Sequence, residues 1–312
     1  MGKFFTLENN NCNLTVKNIH CLSLDLTLDC GQSFRWQKNA AGHWCAVVSG
    51  TKDGKRIFKF GELSQDPNTG YITFYNCSVD EFYKFWVPYF DLERNYDTIL
   101  NTYKATGDES LNAAIDKYYG IRITNQDPWE TLCSFIISQN NNIPRIKGII
   151  ERLCETHGER VRLVPVVDEN GLKYDKEFFT FPSAEDIANL SEDDLAPIRA
   201  GFRNKYIIDA AQKVASGEID LEKLKKLPLA EAEAELLKIK SVVPREKSMR
   251  RFPGVLIGRL GVSQEFQGKG IGTELMDFIK SWFVVSNKTG CRFLIVDAYN
   301  DRNTLNYYEK WF

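Results

Sequence analysis

Two stretches of this 312-residue chain carry residue types whose spacing could do chemistry. One is Gln267-Gly268-Lys269-Gly270-Ile271-Gly272, a glycine-rich turn between an apolar strand pattern over 255–260 and an amphipathic helix pattern over 273–282. Glycines at a helix N-terminus turn backbone N–H groups outward, which makes a cradle for phosphate oxygens. No Gly-Lys-Ser/Thr occurs, so the turn is not a P-loop. A dinucleotide-binding turn would follow its strand directly and be trailed by an acidic residue about 20 positions on. Here residues 263–266 intervene and no acidic strand end is well placed. The other stretch is Ser138-Gln139-Asn140-Asn141-Asn142, with Arg145 close behind. Taken alone, such a run of short amides is a polar turn.

These residues need elements to position them. Residues 1–79 read as β-rich, with short aromatic and β-branched runs at 34–37, 43–48, 56–60 and 71–75. Turn formers separate the runs: Asn39, Gly42, Asp53-Gly54 and Pro67-Asn68-Thr69-Gly70. From Val79 the pattern turns helical. Asp127-Pro128-Trp129-Glu130 is a helix start, with Asp127 as cap, Pro128 in the first turn and Glu130 able to close a capping box. Ile146, Ile149, Ile150 and Leu153 then fall on one helical face, and Gly158 suits its end. Ser183 and Ser191 each precede an acidic residue by three positions, which predicts two more starts. Residues 206–214, ended by Gly217, and 229–240 complete the helical set. Near Ser241 the pattern changes to strand, glycine loop, helix and strand (293–296), a βαβ-like unit.

Composition narrows the class. Apolar residues make up 43 % of the chain and charged residues 26 %, as in a globular protein with a core. The net charge is −2, so a nucleic-acid site would have to be a local patch. The eight cysteines include no C-x-x-C pair, which argues against zinc and against a disulfide scaffold. The residues after Met1 lack a signal-peptide core, and no apolar run approaches the roughly 20 residues of a membrane span. The expected location is cytoplasmic, at the nucleoid in a bacterium.

Three segments together carry a resemblance. They are Leu26-Thr27-Leu28-Asp29-Cys30-Gly31-Gln32-Ser33-Phe34-Arg35-Trp36, then Gln126 to Arg145, and the pair Phe181-Pro182-Ser183 and Gly201-Phe202-Arg203-Asn204-Lys205-Tyr206. In this order they resemble the 8-oxoguanine DNA glycosylases over about residues 5–240. Such an enzyme flips its target base out of the duplex. The resemblance implies that Asn140 fills the vacated place in the stack. It implies that Arg145 and Arg203 contact the opposite base or its strand, where a planar fork of donors is useful. It assigns to the Gly31 carbonyl the reading of the proton on N7 that only the oxidised guanine carries. Taken singly, Gly31 is a turn glycine, and Arg35 and Trp36 are core and rim of the β-rich part.

The resemblance breaks at the chemistry. After Lys238-Ile239-Lys240 the family has a Gly-x-Gly hairpin, whose lysine forms a Schiff base with the sugar, and then an assisting aspartate. Here the chain runs Ser241-Val242-Val243-Pro244-Arg245. Both glycines are absent, and Arg245 takes the lysine position. A guanidinium has no neutral lone pair, because its pKa exceeds about 12. No catalytic residue for excision is therefore assigned, and Lys247 has no element to aim it.

Residues from about 242 onward resemble the GNAT acetyltransferases. Gln267, Gly268, Lys269, Gly270 and Gly272 match their pyrophosphate loop, and Tyr308 matches the tyrosine that protonates the leaving thiolate. The resemblance implies acetyl-CoA as cofactor for this unit, whereas the glycosylase part needs none. The expected class is α+β in three parts: an antiparallel β domain (1–79), an all-helical glycosylase-type middle domain (80–241) and a partial α/β acetyltransferase-like unit (242–312). The expected partner is duplex DNA containing oxidised guanine, with no membrane. Three readings stand: a glycosylase-family DNA binder without excision, an acetyltransferase targeted by its glycosylase part, and a chimera with neither activity.

Overall fold

The computed structural model describes residues 5–10, 12–52, 55–167, 171–239, 254–257 and 293–296. The chain divides into two compact units, one of residues 1–138 and 143–240, the other of 139–142 and 241–312. The first unit is built on a six-stranded antiparallel sheet: β1 (Thr6–Asn10), β2 (Asn13–Lys17), β3 (Gln37–Lys38), β4 (Trp44–Lys52), β5 (Lys55–Gln65) and β6 (Ile72–Phe74), in the order β1-β2-β6-β5-β4-β3. Strand β4, next to the edge strand β3, is buried on both faces, to which its side chains point alternately. Ala46 and Val48 enter the main core with Leu63 and Phe74, while Cys45 and Val47 enter a second, smaller core.

The main core is aromatic. A turn of π-helix over Phe82–Trp86 follows α2 (Val79–Glu81) and leads into α3 (Val87–Tyr89). It turns Phe82, Phe85 and Trp86 inward. Trp36 is fully buried and donates its ring N–H to the Tyr89 hydroxyl at 2.9 Å. Gly61 admits the Trp86 ring, since a Cβ there would lie 2.5 Å from Trp86 Cη2.

The expectation of an all-helical middle domain needs one correction. A hairpin of β7 (Arg160–Val167) and β8 (Lys173–Phe179) interrupts the helices. Val161, Val164, Val166 and Val167 favour extended backbone. Val164 and Phe178 face inward to the second core, where Phe178 meets Phe60 edge-on at 5.3 Å. The strands β1 and β2 were also not anticipated, and the run at 34–37 forms only the short β3.

The remaining helices are α1 (Leu24–Leu28), α4 (Tyr96–Lys104), α5 (Glu109–Lys117), α6 (Pro128–Ser138), α7 (Ile143–His157), α8 (Ala184–Ala188), α9 (Asn204–Ala215), α10 (Leu221–Leu224) and α11 (Leu229–Leu236). Of these, α6, α7, α8, α9 and α11 follow signals read in the sequence, whereas α1, α4, α5 and α10 had no such signal. Ser183 and Asp186 form the expected capping box of α8. Ser191 and Asp194 make the same reciprocal bonds but close only a turn, which runs into a 3-10 helix at Ala196–Ile198 holding Pro197. Among the described residues no helix is long and apolar enough to cross a membrane.

In the second unit, β9 (Gly254–Ile257) and β10 (Phe293–Val296) pair in parallel, β10 where a strand was read and β9 overlapping the stretch read over 255–260. Parallel neighbours require a crossover connection. Such a pair occurs in any βαβ unit and identifies no family. The glycine loop at 267–272, Tyr308, and the segment holding Arg245 and Lys247 lie outside the described residues.

Candidate nucleic-acid interface

The Gly31 turn is held in place by a network that reaches residues 120–126. The helix α1 starts at Ser23, whose side chain accepts from Leu26 N–H. It carries the buried Thr27, whose hydroxyl donates to Gly120 O at 2.9 Å and accepts from Arg122 N–H. Arg122 is itself buried and donates to the carbonyls of Cys21, His20 and Asp91. Its guanidinium also lies 4.3 Å from the Tyr96 ring centre. Burial lowers the Arg122 pKa, against the pull of nearby acidic groups. Past α1, Gly31 takes φ +85°, a left-handed conformation suited to glycine.

The helix α6 begins as the sequence implies, with Asp127 Oδ1 accepting from Glu130 N–H at 2.8 Å. The Glu130 side chain does not close the predicted box. It turns inward, accepts from the Ser49 hydroxyl at 3.0 Å and lies 3.9 Å from the Arg35 guanidinium. Burial pushes the Glu130 carboxyl above its usual range, and Arg35 opposes that shift. Arg56 grips both Asp127 oxygens, at 3.0 and 3.2 Å, and donates to the carbonyls of Phe181 and Pro182. One side chain of β5 thus locks the start of α6 to the segment before α8.

At its other end α6 leads to the amide run. Asn140 takes φ +49° and is exposed, a left-handed conformation that asparagine tolerates better than most residues. Asn142 N–H donates to the Asn141 side chain at 3.1 Å. The first turn of α7 brings the remaining residues together. The Ile143 side chain would touch a Cβ on Gly31 at 3.7 Å. Lys147 is paired with Asp29 at 2.8 Å, two residues before Gly31. Arg145 is exposed. Arg203 is buried, stacks its guanidinium 4.6 Å over the Phe202 ring and donates to Ala200 O. Burial lowers the Arg203 pKa first, and the charge of Arg145 adds to that. The two arginines therefore share one field, where their positive charges raise the potential. On the same helix as Arg145, Arg152 Nε donates to Ile198 O at 3.0 Å.

Of the residues singled out in the sequence, Gly31, Arg145 and Arg203 lie on one unit, with Gly31 against Ile143 at the start of α7 and Arg203 within reach of the Arg145 charge, and Asn140 is an exposed left-handed loop residue of the other. The bonding partners of Gln32, the Lys147–Asp29 pair and the Arg56–Asp127 pair were not foreseen. Those partners lie 71 to 118 positions apart in the chain, except for Gln32 to Thr27 and Cys30, and no local window connects them. Among the described residues no group of His, Cys, Asp or Glu could hold a metal ion.

Two family models match the chain. One, the N-terminal domain of 8-oxoguanine DNA glycosylase, covers residues 14–132. The other, the HhH-GPD superfamily base excision DNA repair protein, covers residues 133–308, including the stretch with the acetyltransferase resemblance. A Saccharomyces cerevisiae N-glycosylase/DNA lyase is 27 % identical over 222 residues, which are 70 % of this chain and 54 % of that protein. A Bacillus subtilis DNA-3-methyladenine glycosylase is 32 % identical over 167 residues, 53 % of this chain and 51 % of that protein. The chain thus spans about half the length of these curated relatives. Among solved structures, the Clostridium acetobutylicum 8-oxoguanine glycosylase/lyase bound to duplex DNA with cytosine opposite 8-oxoguanine superposes with a TM-score of 0.65. It is 28 % identical, with 91 % of this chain and 94 % of that chain covered. The chain belongs to the HhH-GPD superfamily of base excision DNA repair proteins and, within it, to the 8-oxoguanine DNA glycosylase family.

Proposed function

We propose that this chain binds duplex DNA containing oxidised guanine and does not excise the base. The observation that carries the reading is that the first turn of α7 lies against the Gly31 turn through Ile143 and brings the charge of Arg145 to bear on the buried Arg203. An acceptor carbonyl next to clustered cations suits a base held outside the stack with its phosphates close by. In this reading Asn140 fills the vacated stack, residues 1–79 supply the sensing turn and residues 80–241 supply the DNA-facing cations. The relatives whose names include lyase or glycosylase activity lend the substrate class. An acetyl-CoA site at 267–272 with Tyr308 as acid is not part of the reading, since the HhH-GPD match continues through residue 308.

Loss of excision rests on chemistry. A Schiff base needs a neutral amine, produced by a pKa lowered through burial or a neighbouring cation. Arg245 stays charged, and misplacing a nucleophile by about 1 Å already costs about a hundredfold. Borohydride trapping on a duplex with one 8-oxoguanine is expected to yield no covalent protein–DNA band. A band that vanishes in Lys247→Gln would overturn the proposal and make Lys247 the nucleophile. Arg245→Lys alone is expected to restore nothing, because the hairpin glycines would still be absent.

A further inference from the structure

We propose that Gln32 is the positioning residue of the lesion-sensing carbonyl, an inference that rests on the function proposed above. A glycine carbonyl points wherever its own ψ and the φ of the next residue send it. Gly31 lacks the Cβ that would restrict the first, and its neighbour Cys30 is exposed. The φ of the next residue is set through Gln32, whose side chain is held on every polar edge. Its Oε1 accepts from Thr124 N–H at 2.9 Å and from the Thr124 hydroxyl at 3.2 Å. Its Nε2 donates to Arg122 O at 2.7 Å and Thr27 O at 3.0 Å. Two donors face the oxygen and two carbonyls face the nitrogen, so only one amide orientation satisfies the site. The backbone carbonyl of Gln32 accepts from Gln126 Nε2 at 2.7 Å. The clamp is itself anchored, by the buried Arg122 and by the bond from Asn125 N–H to Tyr89 O in the aromatic core.

The Gly31–Gln32 peptide is thus fixed from its Gln32 side. That matters for discrimination, because a single proton on N7 is the difference being read, and a hydrogen bond weakens steeply once its angle falls below about 120°. A turn that wobbled would still pack the base and would lose the distinction. Gln32 does not touch the base in this arrangement; it acts through Gly31.

The test uses the full chain and two duplexes of one sequence, with 8-oxoguanine or guanine opposite cytosine. Gln32→Glu keeps acceptors for Thr124 but sets a carboxylate against the carbonyls of Thr27 and Arg122. The ratio of the two Kd values is expected to fall about tenfold, with the guanine-duplex Kd changed by less than about twofold. A merely structural role would weaken both affinities together and lower the melting temperature with them. If Gln32→Glu does not fold, Thr124→Val, which removes one hydroxyl donor and leaves the backbone N–H, is expected to lower the ratio by a smaller factor. An unchanged ratio in a folded variant overturns the role of Gln32 while the parent still discriminates. A parent that binds both duplexes equally overturns the proposed function as well.

Discussion

At the scale of single residues, the two arginines proposed to meet DNA differ in burial. Arg203 is buried and stacked on Phe202, while Arg145 is exposed at the start of α7. Arg145→Ala is expected to weaken duplex binding about tenfold and to reduce the salt slope by about one, as a lost phosphate or base contact does. A titration across salt concentrations checks both numbers. Arg203→Lys is expected to cost at least as much, because lysine cannot reproduce a stacked planar fork. Glu130 belongs to this scale too. Its folded-state pKa is raised from 4.5, so the folded state binds a proton that the unfolded state releases. The stability that this provides is present at acid pH and is lost as pH rises from about 4.5 through the raised value. Urea unfolding of the parent relative to Glu130→Gln is expected to show a gap that shifts against the parent over that window. A constant gap from pH 4 to pH 8 would contradict it.

At the scale of elements, the fold depends on close approach and on buried pairs. Gly61→Ala would drive a methyl into Trp86, and overpacking of this kind costs about 1–3 kcal/mol. Thermal melting should show the loss without a change of fold. Asp127 has two tasks, capping α6 and holding Arg56. Asp127→Asn keeps an oxygen for the cap and loses the charge, whereas Asp127→Ala loses both. Removing one partner of a buried pair costs about 3–5 kcal/mol, so both variants are destabilised, and the alanine is expected to be the worse by about 1 kcal/mol. Equal losses in urea melts would mean that the cap contributes nothing.

At the scale of the whole molecule, charge sets how the proposed DNA binding would depend on salt. A net charge of −2 gives no general attraction, so the proposed affinity would have to come from local cations such as Arg145, Lys147, Arg203 and Lys205. Lys147 is already paired with Asp29. With about four phosphate contacts, binding is expected to fall about a hundredfold between about 50 and 200 mM salt. Equal retention in a filter-binding assay at both concentrations would sink this account.

Much of the molecule was legible in the chain itself, because the signals are local. Asp127-Pro128 starts α6, the Ile146–Leu153 spacing makes one face of α7, Ser183 and Asp186 box α8, and the alternating runs become β4, β5 and β6. The residues proposed for the interface, and the arginine at 245, were picked out by their order along the chain. Tertiary structure decided what no window of sequence contains. The pairs Arg56–Asp127 and Lys147–Asp29, and most of the clamp on Gln32, join residues from distant parts of the chain. The hairpin β7–β8 earns its strands from Phe60 and Val47 on another sheet, and Glu130 leaves its expected box because Ser49 and Arg35 offer partners inside. The physical reason is the same in each case. Caps and periodicity are satisfied by near neighbours, whereas a buried charge or an apolar strand face takes whatever partner the folded chain brings to it.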